Sequence, residues 1–171
     1  EQSNGTISNP VKRVRRPKVD NDRPRAVSDD VLGRLIEGIT ARRDKAIVLL
    51  YLYSGLRLSE LQQLDLTTIT SRKHTADNGT VEYFGVGAVV GKGRKRRQFL
   101  VGPTALHALA NYLNECRKNH TSGALFLSER KQRISTRTIQ ATVNKWCLKL
   151  GLPHIHVHQF RHSYATRNVN A

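Results

Sequence analysis

Residues 44–54 constrain the fold more than any other stretch. From Ala46 to Tyr53 the side chains are apolar almost all round: Ala, Ile, Val, Leu, Leu, Tyr, Leu, Tyr. A helix that is apolar on every side must be covered on every side, so this segment predicts a central buried helix with the other elements packed about it. Gly55 follows it and is suited to end it, because glycine adopts the left-handed conformation without strain.

The flanking sequence supplies the covering elements. Val31, Leu32, Leu35, Ile36 and Ile39 recur at helical spacing. Ser28 is a favourable N-cap for that helix, and Asp29 and Asp30 complement the positive end of its dipole. Residues 59–64 read as a short third helix. The hydrophobic period then changes. Residues 67–71, 81–90 and 96–101 are β-branched and apolar, separated by the turn formers Asp77-Asn78-Gly79 and Gly91-Lys92-Gly93. They predict a small antiparallel sheet. Helices resume at Pro103, with Leu106, Leu109, Ala110 and Leu113 as the apolar stripe. Leu125-Phe126-Leu127 reads as a short buried segment. Ser135 or Thr136 caps a further helix carrying Ile139, Val143, Trp146 and Leu150, closed by Gly151, and a last helix begins near His158. The expected fold is mainly α with a small three-stranded antiparallel β-sheet (α+β), in one domain over residues 27–171. Residues 1–26 contain Pro10, Pro17 and Pro24 and a basic run from Lys12 to Lys18. They are too poor in apolar side chains to fold alone and read as a linker.

Charge gives the first indication of function. The 171 residues hold 29 Lys and Arg against 13 Asp and Glu, a formal net charge of +16. Such an excess implies a polyanionic partner, most simply nucleic acid, although a ribosomal protein or a binder of acidic membranes would share it. The distribution is sharper. No acid lies between Glu82 and Glu115, where Lys92, Arg94, Lys95, Arg96 and Arg97 fall, and none follows Glu129. Two acid-free basic stretches predict a continuous basic face. No apolar run approaches the ~20 residues of a membrane span, so no membrane partner is expected. Cys116 and Cys147 fit no disulfide or metal-ligand spacing and read as buried free thiols of a cytoplasmic protein. With no methionine, not even at position 1, the chain is expected to be a trimmed piece of a longer protein.

Three clusters hold residues suited to phosphate chemistry. In Gly55-Leu56-Arg57-Leu58-Ser59-Glu60-Leu61, Arg57 and Glu60 are three apart and share a face if the turn is helical. A carboxylate there would hold the guanidinium fork in one orientation; the alternative is a plain surface ion pair. In Gly91-Lys92-Gly93-Arg94-Lys95-Arg96-Arg97 a lysine stands at a hairpin tip. The spacing is not that of a Walker loop. Such a lysine can protonate a departing alkoxide, or merely touch phosphates. In His158-Gln159-Phe160-Arg161-His162, His158 and Arg161 share a helical face, with Phe160 turned to the core. Both are natural donors to phosphate oxygens. His162 faces elsewhere and reads as a hydrogen-bonded structural histidine. His154, His156 and His158 alternate, but no carboxylate or cysteine accompanies them, so neither a metal nor a cofactor is expected.

The order of the clusters is more specific than any one of them. Gly-Leu-Arg-x-Ser-Glu-Leu, then a Gly-Lys-Gly hairpin, then His-x-x-Arg-His before Ser-Tyr-Ala-Thr, resembles the tyrosine recombinase family, in its Xer-type and phage-integrase branch. Residues 124–128 and 133–135 are similar to that family's text, and the basic segment at Asn9-Pro10 resembles its interdomain linker. The resemblance implies that Arg57 and Arg161 clamp the scissile phosphate. It implies that Lys92 protonates the leaving 5′ oxygen, that His158 assists proton transfer, and that Glu60 supports Arg57. Arg94, Lys95, Arg96 and Arg97, with Arg13, Arg15 and Arg16 of the linker, are the expected DNA contacts. The implied partners are double-stranded DNA and sister recombinase protomers, as a tetramer on DNA, in the cytoplasm at the nucleoid. The family's nucleophile is a tyrosine, and none of Tyr51, Tyr53, Tyr83, Tyr112 and Tyr164 stands in its context, so the fragment alone is expected to lack cleavage. A non-catalytic DNA-binding or regulatory module would explain the charge equally, but not the ordered clusters.

Overall fold

The computed structural model describes residues 26–75, 77–91, 95–117 and 120–169. Arg13, Arg15, Arg16, Lys92 and Arg94 lie outside the described residues. Among the described residues six helices and one sheet follow in the order α1 (Asp29–Gly38), α2 (Arg42–Ser54), α3 (Leu58–Gln62), β1 (Ile69–Thr75), β2 (Val81–Val90), β3 (Arg96–Val101), α4 (Pro103–Cys116), α5 (Thr136–Lys149) and α6 (Val157–Val169). The class is the expected one. Central α2 packs against α1, α4, α5, α6 and β3. Every residue from Ala46 to Leu52 is buried. Covering these residues on all sides removes their apolar surface from water, the dominant favourable term in folding; Tyr53, the last of the expected apolar run, stays exposed.

The sheet has the order β1-β2-β3, antiparallel throughout. β2 and β3 occupy the expected residues. Strand β1 begins later than its apolar residues suggested and runs on through Arg72, Lys73 and His74 to pair Thr75 with Val81. As an edge strand exposed along most of its length, it tolerates polar side chains on both faces. On the covered face Phe99 packs against Gly87, its cross-strand partner; a Cβ on Gly87 would sit 2.3 Å from the Phe99 ring.

Helix α4 buries Ala105, Leu109 and Tyr112, a stripe rotated from the expected one. Leu106 and Leu113 are half-buried and Ala110 is exposed. The helix carries two apolar stripes. One faces α2, and the other lines a groove of about 610 Å³ toward β1 and β2. Ser135 caps α5 as expected, accepting from the Thr138 backbone N–H at 3.0 Å, and Gly151 follows the helix at φ 63°. Helix α2 starts before Asp44, which is buried. The Asp44 carboxylate accepts from Trp146 Nε1 of α5 at 2.9 Å and from Arg43 at 3.0 Å. Cys147 is buried, but Cys116, expected to be so, is exposed on the last turn of α4. No helix among the described residues is long and apolar enough to cross a membrane.

Candidate functional site

The end of α2 organises the site. Gly55 lies at φ 60°, a conformation glycine adopts freely, and a Cβ there would meet the Tyr164 ring at 2.6 Å. The tight turn frees the Gly55 carbonyl oxygen, which accepts from Arg161 Nη1 of α6 at 2.7 Å. The chain then enters α3 at Arg57. Glu60 on that short helix reaches back: its Oε2 accepts from the Arg57 backbone N–H at 2.7 Å and its Oε1 from Arg57 Nη1 at 3.1 Å. The Arg57 side chain is half exposed whereas that of Glu60 is 6% exposed.

A third guanidinium joins from the sheet. Arg97 Nη2 of β3 donates to Glu60 Oε2 at 2.5 Å and lies 3.5 Å from the Gly55 carbonyl oxygen. Successive strand side chains point to opposite faces, and Phe99 and Val101 are buried while Arg96, Gln98 and Leu100 are exposed. Arg97 is in phase with the buried set. Alternation was the signal that it points inward, and the reading of one uniform basic run overlooked it. Burial alone would push the Glu60 carboxyl up. The bonds from the Arg57 backbone and from the Arg97 and Arg57 guanidiniums outweigh that and hold it below the usual carboxylate value.

The β2–β3 hairpin closes beside this pair. Gly91 N–H donates to the Lys95 carbonyl at 2.9 Å, and the Cβ position of Gly91 lies 3.5 Å from Arg57 Nη1 and 3.6 Å from Glu60 Oε1. Lys95 and Arg96 are exposed. Below the site, Tyr51 is fully buried edge-on to Phe160, with ring centroids 5.8 Å apart. Its hydroxyl has no hydrogen-bond partner among the described residues. Burial pushes its pKa up to about 12, although the Arg161 charge opposes this. Neither Tyr51 nor the Gly55 carbonyl was picked out from sequence.

Arg57, Glu60, Arg97 and Arg161 are thus brought together around residues 55–60. His158 stands on α6 three residues before Arg161, exposed, where it lines a cavity of about 180 Å³ with His154, His156, Gln140 and Asn144. Phe160 is buried as expected. His162 is exposed. Of the basic residues after Glu129, Arg133 is spent on Asp65 and the Leu64 carbonyl. Arg117, outside both acid-free stretches, is buried against the Ser122 and Ala124 carbonyls.

Comparison with known proteins places these features in context. A model of the phage integrase family matches residues 27–171. The chain is 38% identical over 170 residues to the tyrosine recombinase XerC of Shewanella sp. (strain ANA-3), a match covering 95% of this chain and 53% of that protein. It is 34% identical over 169 residues to tyrosine recombinase XerC of Haemophilus influenzae (strain PittEE), covering 95% and 54%. The crystal structure of the XerA recombinase superposes with a TM-score of 0.68 at 27% identity, over 85% of this chain and 51% of that one. The chain spans about half the length of the curated relatives it matches.

Proposed function

The chain belongs to the phage integrase family, and from that premise we propose that it is the phosphate-activating part of a site-specific DNA recombinase. The observation that carries the reading is the gathering of Arg57, Arg97 and Arg161 around residues 55–60 with one carboxylate, Glu60, among them. Three guanidiniums against one carboxylate leave uncompensated positive charge, and a phosphodiester would supply the missing anion. In-line attack on a phosphodiester builds negative charge on the non-bridging oxygens. Donors already fixed in place stabilise that charge without reorganising.

In this reading Arg57 and Arg161 clamp the scissile phosphate, and Glu60 fixes Arg57. His158, one helical turn before Arg161, assists proton transfer. Lys92, next in sequence to Gly91, protonates the leaving 5′ oxygen. The nucleophile is a tyrosine outside these 171 residues. The DNA 3′ phosphate becomes esterified to it while the 5′ hydroxyl departs, and attack by another 5′ hydroxyl reverses the step. The ester conserves the bond energy, so religation needs no cofactor. Residues 1–26, with Arg13, Arg15 and Arg16, form a basic linker along the phosphate backbone ahead of the catalytic domain at 27–171. The partners are duplex DNA and sister protomers assembled as a tetramer, in the cytoplasm at the nucleoid.

The test uses the full-length gene product and a nicked suicide substrate built from DNA flanking the gene. A covalent protein–DNA adduct on a denaturing gel, lost in Arg57→Ala and in Arg161→Ala, is the expected result. DNA binding should weaken steeply with salt, with a log–log slope near −5 for about six neutralised phosphates. Salt-sensitive binding without an adduct would replace the enzyme by a non-catalytic DNA-binding module.

A further inference from the structure

Arg97 belongs to the basic run after the hairpin, and by composition it is one more DNA contact. Its surroundings suggest otherwise. Its side chain is 35% exposed, and the Glu60 carboxylate it meets is 6% exposed. Oε2 of Glu60 receives both the Arg97 guanidinium and the Arg57 backbone N–H, while Oε1 receives the Arg57 guanidinium. One carboxylate therefore joins a side chain from β3 to the start of α3. The same Arg97 nitrogen approaches the carbonyl that holds Arg161. On the facing strand side of the same turn, two residues past Val89, which pairs with Arg97, Gly91 lies against the Arg57–Glu60 pair.

We propose that Arg97 is a positioning residue, which locks the turn end of the β2–β3 hairpin onto Glu60 and so sets the hairpin relative to Arg57. The inference rests on the recombinase reading for its consequence, since the hairpin carries Lys92 in sequence. The lock itself is independent of that reading. Arginine suits the task because the two N–H groups on one nitrogen of its planar guanidinium point in fixed directions at the two acceptors, which an ammonium on a flexible stem does not reproduce. A small displacement of the hairpin would leave DNA affinity unchanged and misplace the reacting groups, for which losses near 100-fold are ordinary.

The variants are Arg97→Gln and Arg97→Lys in the full-length protein, compared with Arg96→Ala on the exposed face of the same strand, all checked for cooperative unfolding. In the DNA-free protein, hydrogen exchange of the hairpin amides, including Gly91 N–H, should quicken in Arg97→Gln and also in Glu60→Gln. On DNA, Arg97→Gln should slow cleavage ~10- to 100-fold with an unchanged salt slope, and Arg97→Lys should not rescue it. In a Glu60→Gln background the Arg97→Gln effect should shrink below about 3-fold, because both changes remove one interaction.

A DNA contact predicts the reverse. The salt slope would fall by about 1, as expected for Arg96→Ala. Lysine would rescue, the two losses would multiply, and hairpin exchange would stay at the wild-type rate. That pattern overturns the proposal. Should the wild-type protein form no adduct, the recombinase reading fails. The exchange and salt-slope measurements still decide whether Arg97 locks the hairpin.

Discussion

Arg161 Nη1 lies 2.7 Å from the carbonyl oxygen of Gly55, so a guanidinium on α6 is held by the turn that ends the central helix. The contact spans 106 residues of chain. It ties the position of Arg161 to the φ of one glycine, and through the next two residues to Arg57.

Gly55→Ala should therefore disturb more than one residue. An L-residue at φ 60° costs roughly 1–2 kcal/mol, and the new Cβ would press on the Tyr164 ring at 2.6 Å. The expected loss is about 2–3 kcal/mol, a fall in Tm of several degrees for a chain of this size. Thermal unfolding of Gly55→Ala, Tyr164→Ala and the double variant separates the two contributions. If Tyr164→Ala relieves the collision, the double variant should be more stable than the sum of the single losses implies. Strict additivity would mean that backbone strain alone accounts for the cost.

The acid limb of stability should report Glu60. Its carboxyl is held below the usual carboxylate value by the Arg57 backbone N–H and by the Arg97 and Arg57 guanidiniums. A depressed folded pKa contributes stability that is fully present above the unfolded value and is lost as pH falls through the folded one. Glu60→Gln should thus cost about 1–3 kcal/mol at neutral pH. The gap from wild type should close as pH drops from about 4.5 downward. Chemical denaturation at a series of pH values measures that difference directly, and a gap that widens on acidification would contradict the pairing.

Tyr51→Phe should be neutral or stabilising, by up to about 1 kcal/mol, because it deletes a fully buried hydroxyl that has no hydrogen-bond partner among the described residues. The ring and its edge contact with Phe160 would remain. A destabilisation beyond about 1 kcal/mol in a denaturant titration would show that the hydroxyl is hydrogen-bonded after all.

These predictions also mark where the sequence was readable. The apolar run Ala46–Tyr53 announced the central helix because a segment buried on all sides has no polar face to mislead. Glu60 was paired with Arg57 correctly because the contact is local: Arg57 is the N-cap of α3 and Glu60 the third residue of that helix, reaching back to it. The strand through Arg72, Lys73 and His74 was not legible. An edge strand held by backbone bonds leaves its side chains free to be polar, so no alternation betrays it. Helix α4 has two apolar stripes, and periodicity alone does not say which one meets α2. The role of the Gly55 carbonyl was invisible for a simpler reason. A backbone acceptor is the same at every residue, and only the fold selects the one that Arg161 will reach.

The network around Asp44 gives the last prediction. Asp44 is 2% exposed, with Trp146 Nε1 on one oxygen and the Arg43 guanidinium on the other. Arg43 also donates to the Leu127 carbonyl at 3.2 Å, so this carboxylate links α2 to α5 and to the segment before it. Asp44→Ala would strand the buried indole N–H and leave a half-buried guanidinium without its counter-charge, at a cost of about 3–5 kcal/mol. Asp44→Asn keeps an acceptor for the indole and should lose roughly half as much. Trp146 is the single tryptophan in the chain, so its fluorescence reads the variants without a label. Emission in Asp44→Asn should stay near wild type with an earlier unfolding midpoint, whereas Asp44→Ala should shift the emission in the native baseline as well. Equal losses in the two variants would mean that the charge on Asp44, and not the bond to Trp146, holds α5 against the central helix.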